Sequence, residues 1–391
     1  MTPNAIAVDQ VRPLIERMAG APLHAKQVES VTNAVVGVVH AVSLSIHAIG
    51  IGLASARGLQ TKHAIKQVDR LLSNPALDVW TLFAQWVPHV VAADTAIVVA
   101  LDWTDFDADG HATIMLSLVT AHGRALPLVW RTVPKAQLKG RRNQYEDEVL
   151  LRLHEVLPAG VRVTVLADRG FGDQQLYAVL RDFGFDFIVR FRGNVTVTSV
   201  TGETRAAQDW VPVTGTIKQL RAARVTQERT PLDLVVCVQA RGMEAPWCLA
   251  VGSATLTGAQ AVRLYGRRFT IEEAFRDVKD PRYGLGLSTT HIGDPRRRDR
   301  LLLICAMATT LLTLLGRAGE SLGMDRMLKA NTVKKRTHSL FRQGCMYYAA
   351  LPMMPATRAN PLLHRFGELV LDEPVYVQAF GVTADVTERV E

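Results

Sequence analysis

Asp102 closes the apolar run AIVVALD, and Asp168 closes a second, VRVTVLAD. An ionised carboxylate at the end of a buried strand is costly unless a cation or hydrogen-bond donors face it. That end is also where open α/β sheets gather their chemistry. If the two strands are neighbours, the aspartates lie side by side and repel each other. A divalent ion relieves that repulsion, and Mg²⁺ suits a few carboxylates combined with the phosphate oxygens of a substrate. A third carboxylate, supplied by a helix, would complete a two-metal site for in-line displacement at phosphorus. Glu272 is the candidate, with Glu273 and Asp277 as competitors close by.

Glu272 lies in YGRRFTIEEAFRDVKD, which begins at Tyr265. On one continuous helix Tyr265, Arg268, Glu272 and Lys279 fall within an arc of roughly 60°. An aromatic hydroxyl, two cations and a carboxylate then share one narrow face. TIEE is also a capping box, with Thr270 as N-cap and Glu273 three residues on. A helix starting there separates Tyr265 and Arg268 from the face of Glu272 and Lys279. The residues alone leave both geometries open.

The elements that must position these side chains read as an α/β protein. Residues 1–92 are helical. Their clearest piece is TKHAIKQVDRLLSNP, with an apolar face of Ala64, Ile65, Val68, Leu71 and Leu72 and a stop at Asn74-Pro75. Lys62, Lys66 and Arg70 form its other face, which is either solvated or laid along nucleic-acid phosphates. Residues 93–193 hold three strands linked by turns, then helix, strand, helix and strand, predicting a mixed sheet covered by helices. Residues 194–257, rich in Val and Thr with turn residues, read as a β-rich insertion. Helical pattern returns over 258–350, and 351–391 form a less regular tail. DFDADG imitates the start of a calcium loop, but Leu116 stands where a bidentate glutamate is required, so a hairpin turn is predicted.

The 391 residues carry a net charge of +8, which favours an acidic partner such as nucleic acid. Acids and a proline interrupt the amino-terminal stretch where a signal peptide needs an apolar core. Leu301–Gly316 is too short for a comfortable membrane span and reads as a buried core helix. Cys237, Cys248, Cys305 and Cys345 lack C-x2-C pairing and read as reduced, buried thiols, with no zinc site. Arg169, directly after Asp168, either serves a phosphate or neutralises the acids. The basic runs KAQLKGRRNQ and PRRRDR are open to the same two readings as the Lys62 face.

With these residues in place the sequence resembles the DDE transposases of bacterial insertion sequences, in particular the insertion-sequence-four (IS-four) family. That family's signature, Y-x2-R-x3-E-x6-K, stands here as Tyr265, Arg268, Glu272 and Lys279. LDWTDF and LADRGFGD supply the other two acids, although the first motif reads D-W-T where the family often has D-G-T. The resemblance implies an RNase H-like core interrupted by a β-rich insertion domain, with a helical DNA-binding domain before it. It implies two Mg²⁺ or Mn²⁺ ions held by Asp102, Asp168 and Glu272, and phosphate contacts from Arg268, Lys279 and Tyr265. Similar enzymes excise their element through a hairpin and flip a base onto an aromatic ring, a role for which Trp210 and Trp247 are candidates. The implied partners are double-stranded DNA (terminal inverted repeats and target) and a second copy of the chain in a synaptic complex. The implied setting is the bacterial cytoplasm, at the nucleoid, with no membrane. A nuclease or resolvase without strand transfer, and a non-catalytic DNA-binding descendant, are the alternatives.

Overall fold

The computed structural model describes residues 6, 8–19, 22–92 and 94–371. The expectations for the first few residues and for the tail beyond residue 371 lie outside the described residues. Five helices come first: α1 (Val8–Ala19), α2 (Ala25–Ala41), α3 (Ile46–Arg57), α4 (Thr61–Ser73) and α5 (Val79–Val91). In α4 the sequence pattern is realised, with Ala64, Val68, Leu71 and Leu72 buried and Lys62, Lys66 and Arg70 exposed.

Next come β1 (Ala96–Phe106), β2 (His111–Val119) and β3 (Ala125–Pro134), an antiparallel meander. DADG is a tight 3₁₀ turn between β1 and β2, ended by Gly110 in left-handed backbone at φ 64°. Its Asp109 pairs with the fully buried Arg298 and accepts from Ile292 N at 3.1 Å. Then α6 (Arg142–Val156), β4 (Arg162–Ala167), α7 (Gln174–Asp182) and β5 (Asp186–Phe191) alternate. The following strands are β6 (Thr196–Thr198), β7 (Thr204–Ala206), β8 (Lys218–Arg221), β9 (Arg224–Val225), β10 (Thr230–Pro231), β11 (Leu234–Val238) and β12 (Trp247–Gly252).

An eight-stranded mixed sheet runs β3-β2-β1-β4-β5-β12-β11-β8. Its parallel pairs are β1–β4 and β4–β5. The architecture is the expected α/β mixed sheet with flanking helices, compatible with an RNase H-like fold. Residues 194–257 share that sheet rather than standing wholly apart from it. β11 is buried at every position, so it needs cover on both faces and finds it inside the main sheet. Only the short β10-β9-β6-β7 ladder forms a second sheet.

Five helices close the described chain: α8 (Gly258–Gly266), α9 (Phe269–Lys279), α10 (Pro295–Ser321), α11 (Leu340–Ala350) and α12 (Ala356–Leu371). α10 is long and apolar enough to cross a membrane, but 89% of that window is buried inside the protein. The PRRRDR run at its start is only partly a surface feature. Arg300 is buried and donates to the Leu77 and Leu72 carbonyls at 2.8 and 2.9 Å, tying α10 to the end of α4. All four cysteines are free and buried.

Candidate active site

β1 and β4 run in parallel register with Leu101 opposite Ala167. The next residue along each chain is an acid, so Asp102 and Asp168 stand side by side, as the strand-end argument requires. One expectation is corrected here: β1 does not end at Asp102. It continues to Phe106, paired along that length with β2, and Asp102 lies opposite Met115. What ends is β4, whose last residue is Ala167. Asp168 then turns the chain, its Oδ1 accepting from Gly170 N at 2.7 Å. Asp102 Oδ1 accepts from Trp103 N at 2.9 Å.

Glu272 comes from α9, and the helix question has a third answer. Tyr265 belongs to α8, Glu272 and Lys279 to α9, and the junction falls at Arg267 and Arg268 rather than at Thr270. Both junction residues keep right-handed helical backbone. Arg267, Arg268, Thr270 and Ile271 each donate to the carbonyl three residues back, a 3₁₀-type tightening. The capping box is absent. Thr270 Oγ is buried without a partner, and Glu273 pairs with Arg276 and Arg124 instead.

Arg268 links two of the acids. Its side chain is 6% exposed, and Nη1 lies 3.4 Å from Asp102 Oδ2 while Nη2 pairs with Glu272. Burial works against its charge, and the Tyr265 hydroxyl, Asp102 and Glu272 more than restore it. Burial also pushes the Asp102 carboxyl up to about 6; Arg268 opposes the rise, and Asp168 and Glu272 add to it. The other two acids therefore both act on Asp102, as like charges near one carboxyl do.

The other predicted residues are distributed less simply. Tyr265 is buried, its ring edge-on to Trp247 at 4.8 Å. Lys279 is half-buried and donates to Thr104 Oγ at 3.1 Å and to the Asp105 carbonyl at 2.7 Å, so it ties α9 to β1. Burial lowers its amine's pKa, with Asp105 and Asp107 opposing the shift. Arg169 is exposed beside Asp168. Lys62, Lys66 and Arg70 lie on α4, outside the acid cluster; α4 is joined to α10 by Arg297, which bonds Asp69 and Ser73. Trp210 is buried beneath Arg205 and Lys218, whereas Trp247 is half-buried against Tyr265 and Phe269.

Glu273 and Asp277, the competitors of Glu272, have a different employment. Arg124, in the turn before β3, bonds Asp277 at 2.6 Å and lies 3.6 Å from Glu273. Two points one helical turn apart fix the rotation of α9 and thus the direction of Glu272. Arg124→Ala would leave Asp277, 17% exposed, with only the Ser339 hydroxyl at 3.4 Å. The expected cost is about 2–3 kcal/mol of stability, below that of a fully buried carboxylate deprived of its cation because both side chains keep some contact with solvent. Chemical denaturation measures it, and an unchanged midpoint would show that Arg124 does not anchor α9.

Sequence reasoning missed the support behind Asp102. Trp103 Nε1 donates to the buried Glu146 of α6 at 2.8 Å, and the Arg142 guanidinium lies 4.9 Å over the indole. The tryptophan of D-W-T was the visible signal; its glutamate partner comes from an element that only the fold brings near.

Among the described residues no three His, Cys, Asp or Glu side chains are gathered closely enough to hold a metal ion. The chemistry of the donor set nonetheless fits one. Carboxylate oxygens are what Mg²⁺ or Mn²⁺ takes, and a cation, the Arg268 head, already lies between two of them. A family model described as "Transposase DDE domain" matches residues 94–311, a span that includes every residue of this cluster. No curated protein matches the chain.

Proposed function

The chain belongs to the transposase DDE domain family, and from that premise we propose a cut-and-paste DNA transposase of the IS-four group. It cleaves at the terminal inverted repeats of its own element and joins the freed ends to target DNA. The observation that carries the reading is Asp102 on β1 beside Asp168 just past the end of the parallel β4, with Glu272 tied to Asp102 through Arg268. Asp102, Asp168 and Glu272 would hold two Mg²⁺ or Mn²⁺ ions. When bound, the ions supply Lewis-acid stabilisation of charge at the phosphorus and activation of the attacking water or 3′-hydroxyl.

The chain's own residues bind and orient the substrate. Arg268 and Arg169 offer guanidinium forks to phosphates beside the acids, a geometry that suits bidentate recognition. Tyr265 steadies Arg268 through its hydroxyl, and Lys279 adds positive charge at the β1 end of α9. Lys62, Lys66 and Arg70 follow the DNA backbone farther from the cut, where exposed cations favour phosphates without reading sequence. Of the two tryptophans, Trp247 fits a base-stacking role better, because it is less buried and adjoins Tyr265. Bringing two element ends together requires a second copy of the chain, and the work is done on DNA in the bacterial cytoplasm.

The test is incubation of the purified chain with pre-cut element ends, a target plasmid and Mg²⁺. Covalently joined products are expected. Cleavage without joining would favour a nuclease, and binding without either would favour a non-catalytic descendant.

A further inference from the structure

Arg268 is the cation that stands between two of the three carboxylates assigned above to the site. Its head lies between Asp102 of β1 and Glu272 of α9, almost sealed from solvent. Two of its nitrogens meet the two carboxylates, while Nε is buried with no hydrogen-bond partner. Among the described residues the acids here are not closed into a metal cage. We infer that Arg268 is an internal counter-cation: in the chain without DNA it holds the acid site shut, and a DNA phosphate opens the site by drawing it away.

This inference rests on the three-acid reading above and adds an order of binding to it. One guanidinium already relieves the repulsion between Asp102 and Glu272. A divalent ion entering there must displace that head or place two positive charges beside it, and either lowers affinity. A phosphodiester is a rival acceptor for the same fork, with two oxygens in place of two carboxylates. Exchange onto DNA therefore loses no charge pairing for Arg268, and it frees both carboxylates together. The unpartnered Nε means the closed arrangement leaves one donor unsatisfied, which favours release onto a third acceptor. DNA binding then precedes tight metal uptake, and the free chain is kept from holding a loaded hydrolytic site.

The experiment measures Mn²⁺ uptake by the full chain without DNA, from the paramagnetic resonance signal of the unbound ion. Arg268→Gln removes the charge and is expected to bind Mn²⁺ about tenfold more tightly than the wild-type chain. Adding Asp102→Asn to that variant should cancel the gain, showing that the new binding is at this site. Circular dichroism checks the fold. If the glutamine variant does not fold, Arg268→Lys serves instead, since one ammonium cannot span both carboxylates; a gain of about threefold is expected. Wild-type uptake as tight as the variant's, and equally dependent on Asp102, would overturn the counter-cation and leave the three-acid site standing. Absence of Asp102-dependent uptake in either protein would overturn both.

Discussion

Asp168→Asn is expected to reduce Mg²⁺-dependent cleavage of element ends by about 10³-fold or more, equivalent to roughly 4 kcal/mol of transition-state stabilisation. Asp102→Asn and Glu272→Gln should do the same, because three acids that act as one site are not additive. Retention of duplex DNA in a gel-shift assay should be unchanged for Asp168→Asn and no weaker than wild type for Asp102→Asn and Glu272→Gln, which loosen the hold on Arg268. The amide substitutions are chosen so that the fold survives. Asn at 168 can still accept from Gly170 N, and Asn at 102 from Trp103 N. At Asp102 the variant should even gain stability at alkaline pH. A carboxyl whose folded pKa is raised costs stability once pH exceeds the unfolded value near 4, and the cost is complete above the folded value. Here that folded value is about 6. Asp102→Asn should thus match the wild type near pH 4 and exceed it by about 1–2 kcal/mol at pH 8, allowing for partial exposure. A variant that folds, binds DNA and still cleaves at the wild-type rate would remove its residue from the site.

Much of this site was legible because its parts are local. Apolar runs ending in an acid mark strands, and the intervals of Tyr265, Arg268, Glu272 and Lys279 are written in the chain. What was not legible depends on pairing at a distance. The Arg268–Asp102 contact spans 166 residues, so no helical wheel could show that Arg268 faces the acids. Lys279 reads as an outward clamp, yet the end of β1 lies close enough to take its ammonium. The capping box at Thr270 fails because i→i−3 bonds carry the helix through Arg268, leaving no free end to cap. The apolar runs LVVCV and WCLAVG within residues 234–252 mark strands but cannot tell which sheet receives them. That choice is made by partners such as Phe187, which lies opposite Gly252.

The second large effect expected is on stability, at the crossing of α10 and α11. A Cβ built on Gly344 would lie 1.8 Å from the Leu312 carbonyl oxygen, and one on Gly316 would lie 1.9 Å from that of Leu340. Both obstacles are backbone atoms, so no side chain can rotate aside and the helices must separate. Gly344→Ala and Gly316→Ala are each expected to destabilise by about 3 kcal/mol, the upper range for overpacking a core. The damage should reach the site as well. α11 carries Arg342, which donates to the Tyr283 carbonyl at 3.1 Å in the loop after α9, and begins just after Ser339, which bonds Asp277. Gly367 of α12 is the control, since nothing lies within 4 Å of an added Cβ. Alanine there should be neutral or stabilising by up to about 1 kcal/mol, because alanine favours helix over glycine. Urea denaturation of the three variants separates the effects. If Gly344→Ala unfolds at the wild-type midpoint, α10 and α11 do not cross this closely, and the route from that crossing to α9 is lost with it.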